Sequence, residues 1–137
     1  MPSFGTRSLE RLQTCHPDLQ KLANAVIPFY DFSVLEGHRS QERQMELFAD
    51  GKSKLDGVSK RSKHQESPSL AMDLLPYPSE LHGVNVWQDQ IRFAHFIGIL
   101  RGHAEALQIP IRVGFDWDGD GSCKNNNFVD YPHIELI

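Results

Sequence analysis

The sequence predicts an α+β fold: a small antiparallel sheet with helices packed against it. Two observations point there. Helical stretches with apolar residues every three or four positions alternate with short apolar runs of strand length. The last residues, His133 to Ile137, also alternate in strand fashion. A chain of 137 residues that is 39% hydrophobic has the apolar content for a core, and residues 1–137 are expected to form one domain.

Taken in order, Ser8 to Ile27 reads as two short helices in series, interrupted at His16-Pro17-Asp18 and ending before Pro28. Pro17 suits a first helical turn, where its missing N–H has no partner to lose. Phe32 to Glu36 reads as a strand, with Gly37 as a turn or bulge. Ser40 is the expected N-cap of a helix through Met45, Leu47, Phe48 and Ala49, stopped by Asp50-Gly51. Lys52 to Pro68 is polar and without period, and a loop of that length in a small domain is often functional. Leu70 to Leu75 is a strand. Trp87 to Leu107 is the longest helix, with Ile91, Ala94, Ile97, Leu100, Ala104 and Leu107 on one face. Ile109 to Phe115 is a strand despite Pro110, Asp116 to Asn127 a loop, and His133 to Ile137 a closing strand.

Composition excludes some functions. No apolar run reaches membrane-spanning length. A net charge of −4 with no Lys/Arg stripe argues against nucleic-acid binding. Met1 to Arg11 has no apolar signal region, so synthesis and retention in the cytoplasm are expected. Cys15 and Cys123 stand outside any CxxC pattern and read as unpaired thiols.

Of seven histidines, two have promising surroundings. Asp73 lies in the apolar run Leu70–Leu75, where a core-facing carboxylate is costly without a partner, and His64 stands at the other end of the loop leading to it. His133 opens the last strand and shares a face with Glu135. Two imidazoles and a carboxylate suit a catalytic zinc with a water in its fourth position. Asp130, three residues before His133, is placed to take that water's proton. Solvent-facing side chains are the plainer alternative. Separately, Asp116, Asp118 and Asp120, followed by Gly121, match the first half of a calcium loop. Asn127 stands where that loop's bidentate glutamate belongs, and a polar loop lining a cleft, with Trp117 as a packing or substrate-facing aromatic, is the other reading.

The segments Gly37-His38-Arg39-Ser40 with Gln44 and Leu47-Phe48, Ser62-Lys63-His64 with Ala71-Met72-Asp73-Leu74, and Asp130-Tyr131-Pro132-His133-Ile134-Glu135 resemble, in order, the motifs of the M15 zinc metallopeptidases. Phe4-Gly5 and His16 to Gln20 are similar to the small phage endolysins of that family. The resemblance implies the fold of the D-Ala-D-Ala peptidases and hedgehog domains, and zinc on His64, Asp73 and His133. Asp130 would be the general base and acid, Arg39 would stabilise the oxyanion, Ser62 would support the His64 loop, and Glu135 would orient a metal ligand. It implies a peptidoglycan substrate and a monomeric L-alanyl-D-glutamate endopeptidase, made in the host cytoplasm and released at lysis. The alternatives are a D-Ala-D-Ala carboxypeptidase and a non-catalytic wall-binding protein. One departure stands out: eight residues separate His64 from Asp73, two more than the family's habit.

Overall fold

The computed structural model describes residues 1–122, 124 and 129–137. Helices α1 (Thr6–Leu12) and α2 (Pro17–Val26) precede strand β1 (Phe32–Glu36) and helix α3 (Gln41–Ala49). Then come β2 (Ala71–Pro76), the hairpin β3 (Glu80–Leu81) and β4 (Val84–Asn85), the long helix α4 (Gln90–Ala106), β5 (Ile111–Val113) and β6 (His133–Leu136). The main sheet has the order β1-β2-β6-β5, every neighbouring pair antiparallel.

Side chains of a strand alternate between faces, and here the alternation separates core from chemistry. Val34, Met72, Leu74 and Ile134 are fully buried, in one cluster with Leu19, Leu22 and Val26 of α2 and Phe96 and Leu100 of α4. Asp73, His133 and Glu135 occupy the intervening strand positions. The register sets Asp73 opposite His133 and Ala71 opposite Glu135.

The helix boundaries follow their caps. The His16 ring accepts a hydrogen bond from Asp18 N–H at 3.1 Å ahead of Pro17, so the expected break between α1 and α2 is there. Ser40 caps α3 through Arg43 N–H at 3.1 Å. In α3 the side chain that is buried is the polar Gln44, while Met45 and Phe48 are about half exposed.

Several expectations are corrected. The helix expected from Trp87 begins at Gln90, because Asp89 takes Arg92 N–H at 3.1 Å and Val86–Gln88 is a separate 3₁₀ turn. Its buried face is Phe93, Phe96, Ile97, Leu100 and Ala104, and Ile91 (83% exposed) and Ala94 face water. The large area of the two phenylalanines decides which way the helix rolls. The strand expected over Ile109 to Phe115 shrinks to Ile111–Val113. Ile109 N–H is taken by the end of α4, Pro110 has none to give, and Asp116 N–H turns back to Val113. The β3–β4 hairpin was not anticipated. Its turn uses His82 and Gly83, both at positive φ, between strands too short for any period.

Gly37 packs where no side chain fits. A Cβ there would stand 2.3 Å from Thr14 Oγ1 and 2.5 Å from the Arg11 carbonyl. Thr14 Oγ1 is itself engaged, donating to that carbonyl and accepting from His38 N–H. Gly37→Ala should destabilise the protein by about 1–3 kcal/mol, measurable by denaturant unfolding.

Candidate active site

The site is built on the sheet's register. Facing positions on β2 and β6 bring Asp73 Oδ1 to 3.3 Å from His133 Nδ1. The 3₁₀ turn Lys63–Gln65 delivers His64, whose Nε2 lies 3.2 Å from the same oxygen. The donor atoms of these three residues all lie within 4.8 Å of one another. The turn is a capping box: Ser62 Oγ accepts from His64 N–H at 3.2 Å, and Gln65 Oε1 accepts from Ser62 N–H at 2.9 Å. Ser62-x-x-Gln65 carried that signal in the sequence. Arg39 N–H also holds the His64 carbonyl at 2.7 Å.

Each imidazole is oriented from behind. His64 Nδ1 lies 2.7 Å from the Gly37 carbonyl and His133 Nε2 lies 3.0 Å from Glu135 Oε1. Donation at those nitrogens leaves His64 Nε2 and His133 Nδ1 as the pair that converges on Asp73. Glu135 is in turn held by Lys63 Nζ at 3.1 Å, and Lys63 also donates to the Leu136 carbonyl. Two imidazole nitrogens and one carboxylate oxygen, with their outer nitrogens fixed, form a donor set that fits a metal such as zinc. Removing the partner of a ligating histidine typically lowers metal affinity 10- to 100-fold. Glu135→Gln should therefore weaken zinc binding by about that factor, read by competition with a chromogenic chelator.

Electrostatics tie these groups together. Burial acts to raise Asp73, but hydrogen bonds from His133 and His64 hold its carboxyl well below the usual range. Burial acts to lower His133, yet hydrogen bonds to Asp73 and Glu135 push it up to about 9 in the metal-free protein. Asp130 is raised by burial and by the Asp73 charge, against the pull of His133, His64 and Arg39. A carboxyl raised toward neutrality is the kind that exchanges protons in a reaction.

Arg39 is pinned. Its Nε and Nη2 donate to the two Glu36 carboxylate oxygens at 2.9 and 2.6 Å, and Nη1 donates to Gln44 Oε1 at 2.7 Å. Nη2 also stands 3.7 Å from Asp73 Oδ2. Asp130 is placed by Gly114: Asp130 N–H donates to the Gly114 carbonyl at 2.9 Å, and a Cβ on Gly114 would lie 2.3 Å from the Asp130 carbonyl. His64, Asp73, His133, Arg39 and Asp130 all line one cleft of about 820 Å³. Trp117 lines it too, its ring centroid 5.4 Å from that of His133.

Glu36, Gln44 and Gly114 had no assigned role in the sequence reading. Their partners lie across turns or on other strands, so no local spacing marks them. Asp116, Asp118 and Asp120 form a second cluster in the loop after β5. Asp116 is buried; its Oδ2 accepts from Gly121 N–H at 2.8 Å and from Arg101 at 3.2 Å, while Oδ1 is buried without a hydrogen-bond partner among the described residues. Asn127 and Cys123 lie outside the described residues; Cys15 is a buried thiol.

The chain is similar to several known proteins. The chain is 31% identical over 139 residues to the L-alanyl-D-glutamate peptidase of Escherichia phage T5, covering 98% of this chain and 97% of that one. It is 29% identical over 113 residues to the peptidoglycan L-alanyl-D-glutamate endopeptidase CwlK of Bacillus subtilis, spanning 78% of this chain and 61% of CwlK. Its fold matches the crystal structure of the Serratia marcescens L-Ala D-Glu endopeptidase ChiX with a TM-score of 0.74 at 28% identity, covering 99% of this chain and 91% of that one. Residues 2–137 match the description of one family from end to end, and the chain belongs to it: the phage L-alanyl-D-glutamate peptidases.

Proposed function

We propose that this chain is a zinc-dependent peptidoglycan endopeptidase that cuts the bond between L-alanine and D-glutamate in the stem peptide, acting as a phage endolysin. The observation that carries the metal chemistry is the convergence of His64 Nε2 and His133 Nδ1 on Asp73 at the floor of the cleft. Family membership supports the bond. The reading takes residues 1–137 as one monomeric domain, made in the host cytoplasm and reaching the wall at lysis. Among the described residues no helix is long and apolar enough to cross a membrane.

In this reading His64, Asp73 and His133 would hold zinc, which would supply Lewis acidity for the scissile carbonyl and for the attacking water. Asp130 takes the proton from the attacking water and returns it to the departing amine, a role that suits its raised pKa. Arg39, with its outer edge fixed by Glu36 and Gln44, turns its remaining donors to the oxygen on which negative charge develops. Glu135 and the Gly37 carbonyl fix the orientation of the two imidazoles.

Mass analysis of muropeptides digested with and without chelator tests the reading. Fragments with a new N-terminal D-glutamate, absent when chelator is present, are expected. Loss of terminal D-alanine alone would mean a carboxypeptidase, and unchanged muropeptides would mean a wall-binding protein without activity.

Asp116 Oδ1, buried without a hydrogen-bond partner among the described residues, favours a second reading, calcium at Asp116, Asp118 and Asp120. Arg101 competes for the same carboxylate. Since Trp117 sits between two of these acids, millimolar calcium should change tryptophan emission in the parent and not in Asp118→Asn/Asp120→Asn. A flat titration would leave the cluster as a polar loop.

A further inference from the structure

Basic side chains line this cleft beyond its floor. On the floor, Arg39 is engaged by Glu36 and Lys63 by Glu135. The loop after α3 adds Lys52, Lys54 and Arg61 to the lining of the same cleft, Arg61 Nε standing 3.9 Å from Glu66 Oε1 on the exposed surface.

This loop is built, not draped. Gln44 is fully buried, and its amide Nε2 donates to Ser53 Oγ at 2.9 Å and to the Leu55 carbonyl at 2.8 Å, bracketing Lys54. Lys52 N–H is bonded to the Leu47 carbonyl at 2.8 Å. Asp56 accepts from the N–H groups of Val58 and Lys60, and Gln65 Nε2 donates to the Gly57 carbonyl at 2.9 Å. The other end of the Gln44 amide holds Arg39, so one buried side chain sets both the site's arginine and the backbone that carries the basic rim. A merely solvated run of lysines needs no such bracing.

The substrate's chemistry supplies a match. This argument rests on the endopeptidase reading above. A glutamyl residue has two carboxyl groups, and only one continues the peptide chain. The other stands a few bonds from the scissile nitrogen, as a carboxylate or as a carboxamide where the wall is amidated. We propose that Lys52, Lys54 and Arg61 form a carboxylate subsite that reads this unlinked group, so that the enzyme prefers glutamyl stem peptides over amidated ones. Cations around an exposed carboxylate act over several ångströms and are weakened by salt.

The test compares kcat/KM of the zinc-loaded protein on two purified muropeptides that differ only in carboxylate against carboxamide at that position. The parent should prefer the carboxylate by about tenfold, and added salt should shrink the ratio. In Lys52→Gln/Lys54→Gln/Arg61→Gln the ratio should fall to within about twofold of unity, while Lys52→Arg/Lys54→Arg should preserve it. General damage to the loop would slow both substrates and leave the ratio intact. A parent ratio near unity, or a triple variant that keeps the parent's ratio, would overturn the subsite. If the parent cuts neither muropeptide, the endopeptidase reading itself falls, and the subsite with it.

Discussion

Asp73→Ala should leave the protein unable to retain zinc and without measurable hydrolysis. Asp73 is the hub of the site: both metal-facing imidazole nitrogens lie within 3.3 Å of its Oδ1. Removing it leaves His64 Nε2 and His133 Nδ1 with no carboxylate between them, a much weaker site for a divalent cation. The loss in kcat should be at least that of deleting one electrostatic stabiliser, roughly 10²- to 10³-fold, and added zinc should not restore it. Metal analysis after gel filtration, paired with muropeptide turnover, checks both halves. A variant that still carries stoichiometric zinc and full activity would remove Asp73 from the metal site.

Asp130→Asn should give the opposite pairing, zinc retained and catalysis lost. The side chain lines the cleft without belonging to the three-residue donor cluster, so metal content should match the parent. Proton transfer by a positioned carboxylate is typically worth 10²- to 10⁴-fold, and kcat should fall by about that much with KM little changed. Asparagine preserves the shape beside Gly114, where there is no room for repacking. If this variant lyses permeabilised cells as fast as the parent, another group moves the proton. The two variants together separate holding the metal from using it.

How much of this was legible in the sequence varied with the range of the contact. Asp73 was conspicuous as an acid inside an apolar strand, and strand alternation put His133 and Glu135 on one face; the structure has both features. His64 looked less secure, because its spacing to Asp73 is longer than usual. Yet the intervening residues do not displace it: the turn is anchored by its own capping box and by Arg39 N–H. The bracing of Arg39 was invisible. Gln44 sits on a helix whose Met45 and Phe48 are about half exposed, and its partners Ser53 and Leu55 lie in a loop without period. The face of α4 was misjudged because Ile91 and Ala94 keep helical spacing as well as Phe93 and Phe96 do, and only packing chooses between them. Local pattern thus marks residues that are unusual for their own element. It is silent on polar residues whose significance comes from a partner far along the chain.

The sheet order has a consequence for how the molecule comes into being. β6 is the latest strand in the chain, yet it lies in the interior of the sheet, between β2 and β5. As a ribosome releases the polypeptide, helices and β1 with β2 can assemble early, but the slot beside β2 stays vacant until residues 133–136 emerge. That last insertion brings His133 to Asp73, aligns Glu135 behind it, and fixes Asp130 against Gly114, all in one event. A register slip of one residue would turn Ile134 into the cleft and His133 into the core. Formation of the site is thereby tied to closure of the sheet: the strand that completes the hydrogen-bonded ladder between β2 and β5 is the one that carries His133 and Glu135.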